Sequence, residues 1–423
     1  MVGLVAFACS SASVTQSADP DAGDGDGGPG ANGDGGLPGD HDGGSTGGGG
    51  GASGPADPTD LGKGMPQVLR GSKAAGGVLT APKIVALTYD NDTNRAEIES
   101  FLPAFAGSIA WSSTTKEYGV GPLTVSTPIH VAGNAPTAMT DTQAKAVVKA
   151  QGAPDVNTIY TLFLPKGTLI DDGSGAKCCT DYDGYHSDYT TNGVTTVYAI
   201  VCACPGFDGK TITDLQQVTV AAAHEAIEAA TDPHNKTPGY SQPDDAHIAW
   251  SLVTGGETGD MCALVDSAYW IPADMKYMVQ RSWSNAAAAA GHDPCVGEPS
   301  TPYYTTIPTL TDSATLSDYQ VTTKSIKIAK GATGTLKLKL YADTANAGEF
   351  KVEVDDFSGS GHIMVKQATG TFKSGDEVSV DITVVSADPS YVVSGGGAEL
   401  FQVMTTPANG KGPSTYYWGL VSQ

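Results

Sequence analysis

Thr213-Asp214-Leu215-Gln216-Gln217-Val218-Thr219-Val220-Ala221-Ala222-Ala223-His224-Glu225-Ala226-Ile227-Glu228-Ala229-Ala230-Thr231-Asp232-Pro233 is the stretch on which the reading of the chain turns. Thr213 or Asp214 is a ready N-cap, and good helix formers follow. Asp232-Pro233 ends the run, because proline disfavours helical geometry in the residue before it. The stretch predicts one helix ending at Thr231. Working back, 195–204 reads as a strand stopped by Pro205-Gly206, and 159–164 as another. A helix fits 140–151. Lys83-Ile84-Val85-Ala86-Leu87-Thr88-Tyr89 reads as a buried strand, followed by the turn and cap residues Asn91 to Asn94 and a helix through Ile98, Phe101, Leu102 and Phe105. Alternating strands and helices predict an α/β (α+β) domain over 65–300, loop-rich after 234.

Beyond a hinge of threonines with Pro302 and Pro308, the period changes to two. Leu336, Leu338 and Leu340 alternate with lysines; Phe350, Val352 and Val354 form a second set, and Val378, Val380, Ile382 and Val384 a third. With no helical stretch in 305–423, this predicts an all-β sandwich domain.

The 423 residues suffice for two or three domains, and 46 acidic against 23 basic residues leave a net charge of −23. None of the parts is basic, so the chain is not expected to bind nucleic acid or an acidic membrane through a cationic surface. Apolar runs stay below the roughly 18 residues of a membrane span. Residues 10–64 are Asp, Gly, Pro, Ser and Ala, too polar to offset the entropy of ordering, and read as a disordered tether. Residues 1–9, an apolar run ending in Cys9, read as a truncated signal with a lipobox in which Cys9 is lipidated. The expected location is therefore outside the cytoplasm, as a cell-envelope lipoprotein or extracellular protein, touching a membrane only through its lipid. The six remaining cysteines suit three disulfides in an oxidising compartment. Adjacent residues rarely bridge each other, so Cys178 and Cys179 are expected to pair with Cys202 and Cys204, in either combination, and Cys262 with Cys295.

His224 and Glu228 lie four apart on one helix face, with Cβ atoms about 5–6 Å from each other. This is the H-E-x-x-H arrangement of zinc hydrolases with Glu in the second position, and a carboxylate oxygen is an acceptable zinc ligand. Glu225 would then take a proton from water that the metal activates. A third ligand is expected from the loop pinned by Cys262, as Glu257 or Asp260, with Asp232 and His186 within possible reach. His130, His234, His247, His292 and His362 have no companion at ligand spacing. Calcium held by acidic loops is a second metal reading.

The order of short motifs resembles a family: a strand, a helix rich in Phe and Leu, Trp111 before Tyr118, Cys179 followed by Gly184-Tyr185-His186, Cys204-Pro205-Gly206, a helix closing in Thr231-Asp232-Pro233, Glu257 five before Cys262, and Cys295. Over about residues 83–296 this resembles the secreted phosphate-induced (EXORDIUM-like) proteins of plants. The resemblance implies an exported, disulfide-bonded α/β domain with extracellular or cell-wall roles and implies no metal. The His224–Glu228 segment separately resembles the active helix of zincin-like metallopeptidases. Two functions are therefore expected to compete: an exported zinc-dependent hydrolase of the peptidase class, and a non-catalytic EXORDIUM-like surface module for adhesion or glycan binding. The partner in either case is an extracellular protein or a cell-wall polymer.

Overall fold

The computed structural model describes residues 64–423 except 71–76, 208, 210, 298–301, 318, 345–346, 387–389 and 394–395. Cys9 and the tether to residue 63 lie outside the described residues. Strand residues outnumber helical ones, 38% against 20%, so the protein is mostly β.

Four strands build the first sheet: β1 (Lys83–Tyr89), β2 (Thr158–Leu164), β3 (Gly184–Thr191) and β4 (Val194–Cys202). β1, β2 and β4 run parallel in the order β1-β2-β4, and β3 returns antiparallel along the free edge of β4. The short strands Thr124–Val125 and Ile129–Val131 add parallel to the other edge of β1. Side chains alternate across this sheet. Ile84, Ile159, Phe163, Val197 and Val201 face one core shared with helices α1 (Arg95–Ala106) and α3 (Asp214–Thr231). Leu87, Leu162, Tyr198 and Ile200 face the opposite core, shared with α2 (Asp141–Gln151) through Ala144 and Val148. Both α2 and α3 begin in capping boxes. In α3 the Thr213 hydroxyl accepts from the Gln216 backbone while the Gln216 side chain accepts from the Thr213 backbone. From Gln217 to Thr231 every residue of α3 is buried. The sheet covers one side of it, and the segment around Val279 and Gln280 covers another.

The strand-rich part departs from an open sandwich. One sheet is four antiparallel strands, ordered β5 (Tyr304–Pro308), β8 (Thr333–Ala342), β11 (Glu377–Val384) and β10 (Ile363–Lys366). The other contains β6 (Asp312–Leu316), β7 (Val321–Lys327), β9 (Phe350–Asp356), β12 (Tyr391–Val393), β13 (Gly396–Pro407) and β14 (Thr415–Ser422). In it β13, β12, β6, β7 and β14 follow in order, and β14 pairs again with β13, so five strands form a closed ring. The cause is the length of β13. Its Gly396–Ala398 end pairs with β12 and its Phe401–Pro407 end with β9, while its other edge carries β14. Closure leaves fewer unpaired edges than two open sheets would.

The period-2 sets point where the alternation predicts. Leu336, Leu338, Leu340, Val352, Val354, Val378, Val380, Ile382 and Val384 are all buried in one core. That core does not stop at the threonine-rich hinge. It continues into Met65, Val68, Trp250, Met261, Trp283 and the Cys262–Cys295 disulfide. Trp250, on helix α4 (Ile248–Thr254), meets Trp418 edge-to-face with ring centroids 4.7 Å apart. Cys179 bonds Cys204, and Cys262 bonds Cys295. Cys178 and Cys202 remain buried thiols that hydrogen-bond each other. Among the described residues no helix is long and apolar enough to cross a membrane.

Candidate metal centre

Three elements bring their polar side chains to the buried face of α3. The helix contributes His224, Glu225 and Glu228, and its last turn leads into Asp232. β3 contributes His186. The turn of 3-10 helix at Asp260–Cys262, tied to Cys295 by its disulfide, contributes Asp260, with Glu257 just before it. None of these seven residues is more than 7% exposed.

His224 Nε2 lies 2.9 Å from Glu228 Oε2 and 3.6 Å from Asp260 Oδ1. Glu228 turns its other oxygen away, where Oε1 accepts 2.9 Å hydrogen bonds from the Gly259 and Asp260 backbones. Those two bonds tie the loop to the helix and aim the remaining carboxylate oxygen at His224. Asp260 Oδ1 and Glu257 Oε2 are buried without a hydrogen-bond partner among the described residues. Beside this trio, His186 Nδ1 sits 3.4 Å from Glu225 Oε2 and its Nε2 lies 3.0 Å from the Asp232 carbonyl oxygen. Glu257 Oε2 is 3.9 Å from the same Nε2. The Asp232 side chain caps the chain beyond the helix, accepting from Gly239 at 2.5 Å.

Five carboxyl groups and two imidazoles thus share a buried space, and none of their ion pairs among the described residues involves lysine or arginine. The charges respond accordingly. Burial pushes Asp260 up to about 8, with the Glu228 charge adding to it and His224 opposing. Burial, then the charges of Glu228, Asp232 and Asp260, drive Glu257 well above the carboxylate range. Burial likewise raises Glu225 and Asp232. Glu228 is the exception: burial opposes its charge too, but the neighbouring His224 outweighs it and holds the group at about 2. His186 is raised to about 9, since the Glu225 hydrogen bond and the surrounding acids overcome burial. The cluster is short of positive charge. Burial and mutual repulsion favour the neutral form of Glu225, Asp232, Glu257 and Asp260, and a divalent cation would favour the charged form instead.

Two sets of three donors lie close enough to hold one: His224, Glu228 and Asp260, and His186, Glu228 and Glu257, with the ligand atoms of each set within 4.8 Å of one another. Zinc bonds of about 2.0–2.2 Å place tetrahedral ligands about 3.3–3.6 Å apart, close to the spacing around His224. Asp260 is therefore the loop residue that joins His224, while Glu257 joins His186, and Asp232 serves backbone and cap. His130, His234, His247, His292 and His362 each face a single carboxylate: Glu99, Asp188, Asp244, Asp343 and Glu399.

One contributor without a functional group of its own was not foreseen. Gly259 passes so close to the helix that a Cβ there would stand 2.9 Å from Glu228 Oε1 and 3.0 Å from His224 Nδ1. Gly259→Ala is expected to push the Asp260 loop off the helix, costing about 1–3 kcal/mol of stability. If the donors hold zinc, its affinity should fall with the loop's displacement by about tenfold or more. Denaturant unfolding and competitive zinc titration check the two parts, and wild-type values in both would show that the approach is not needed.

No protein-family model, curated protein or solved structure matches the chain.

Proposed function

We propose that the chain is an exported zinc-dependent hydrolase acting on peptides, with His224, Glu228 and Asp260 as ligands and Glu225 as general base. The observation that carries this is the convergence of the Glu228 and Asp260 carboxylates on His224 Nε2 in a fully buried site. One nitrogen and two carboxylate donors suit zinc better than calcium, which takes six to eight oxygens. When bound, zinc lowers the pKa of a water it holds, and Glu225 follows the first ligand directly in sequence. His186 holds the Glu225 carboxyl from behind through Nδ1. Two disulfides support the reading of an exported protein. Under the same reading the mixed sheet with its helices is an EXORDIUM-like α/β domain, the all-β part is a sandwich derivative, and the substrate is an extracellular protein.

A second reading is favoured by the burial of every ligand: a non-catalytic surface module in which a structural metal clamps the 257–262 loop to α3. The two separate in one experiment on the purified chain. Wild type is expected to carry zinc and to cleave casein, while Glu225→Gln keeps the zinc and loses cleavage by about 100-fold or more, because an amide cannot accept the proton. Zinc in both proteins, with no cleavage of casein or a broad peptide library by wild type, selects the clamp. Absence of zinc from the wild type after dialysis overturns both metal readings.

A further inference from the structure

A cavity of about 220 Å³ opens where the loops following α4 meet β5 and β14, and none of the seven clustered residues lines it. Its walls carry an unusual share of aromatic rings, among them Trp250, Tyr269, Trp270, Trp283, Tyr304 and Tyr416. Between them stands Arg281, 5% exposed, whose Nη2 donates to Asp293 Oδ2 at 2.5 Å and whose Nη1 donates to Ser267 Oγ at 2.8 Å. Its Nε has no hydrogen-bond partner among the described residues. Several walls are held in place. Trp270 packs on Gly297 so tightly that a Cβ there would stand 2.7 Å from the indole nitrogen. The Tyr416 hydroxyl donates to Asp266 Oδ1 at 3.0 Å, and the same carboxylate accepts from the Ser414 backbone. Tyr304 donates its hydroxyl to the Pro413 carbonyl. The Cys262–Cys295 disulfide braces the floor through Cys295.

We propose that this cavity binds a neutral pyranose residue of an extracellular polysaccharide, independently of the metal centre. Among the described lining residues Arg281 and Asp293 carry the charges and balance each other, so the lining offers no net charge to an ion. Flat aromatic faces suit the apolar C–H face of a sugar ring. A guanidinium beside a carboxylate and hydroxyls supplies donors and acceptors together, as ring hydroxyls require. The space is below the roughly 300–1,000 Å³ of drug-sized sites, which limits the buried part to about one ring, with the rest of the glycan outside. A proline-rich peptide would fill the aromatic walls and offer carbonyl acceptors to Arg281, but without backbone N–H groups at its prolines it would leave the Asp293 carboxylate short of donors, which sugar hydroxyls supply.

The test is titration of the full chain with cellotetraose, xylotetraose and chitotetraose, read by calorimetry and by tryptophan fluorescence, with a proline-rich peptide as the competing probe. At least one tetrasaccharide is expected to saturate. Trp270→Ala and Tyr416→Ala should each weaken it by about tenfold or more, while circular dichroism stays that of the wild type. Should Trp270→Ala not fold, Tyr416→Ala decides. The proposal is overturned if no tetrasaccharide saturates, if only the peptide binds, or if sugar affinity survives the variants.

Discussion

His224→Ala is expected to leave the purified chain without zinc. The imidazole is the only nitrogen donor of its set, and removing it leaves Glu228 and Asp260 facing each other across a void. Loss of a direct ligand should weaken binding by more than the roughly 10–100-fold seen when a supporting group is removed. Stability should fall as well. Glu228 is held ionised chiefly by His224, and breaking a buried ion pair by deleting one partner costs about 3–5 kcal/mol. Elemental analysis after dialysis against a weak chelator, beside a thermal melt, reads both effects. Equal zinc and equal melting in variant and wild type would dismiss the centre and return α3 to a purely structural role.

Cys262→Ser combined with Cys295→Ser is expected to have the next largest effect. This disulfide closes a separation of 33 residues and pins the 3-10 turn that presents Asp260, two residues before Cys262. Its loss should cost about 2–5 kcal/mol, a large share of the net stability of a typical domain. The freed turn should also hold zinc more weakly, because Asp260 would no longer be preorganised against His224. The Cys179–Cys204 pair is the control. It brackets the β3–β4 hairpin, Cys179 before β3 and Cys204 after β4, and lies far in sequence from the Asp260 turn, so Cys179→Ser with Cys204→Ser should destabilise the chain comparably and affect zinc less. Denaturant unfolding and zinc competition on both double variants give the comparison; identical zinc affinity in all three proteins would show that the staple does not position Asp260.

Elements with local causes were legible in advance. Helix α3 starts at a threonine that caps it and stops at an aspartate before proline, and both signals lie within a turn of the ends they set. The strand at 83–89 is a continuous apolar run, and the leucine and valine sets of β8, β9 and β11 alternate strictly, so their buried faces followed from the period alone. The pairing of His224 with Glu228 belongs here too, because a spacing of four places both on one helix face whatever surrounds them.

Contacts between distant segments were not. Glu257 and Asp260 are three residues apart and chemically alike, and which of them meets His224 depends on the path of a loop held by Cys295 and by Glu228. His186 reaches the cluster only because β3 turns back along β4. The sandwich became a ring because β13 is long enough to take two partners on one edge, a matter of strand register that alternation does not encode. The aromatic cavity gathers Trp250, Trp270, Trp283 and Tyr416 from separate stretches of chain, none of which forms a motif. Short-range signals act through backbone dihedrals and side-chain period and survive in any context. The choice among chemically equivalent partners is made by packing, in which each segment's position depends on all the others.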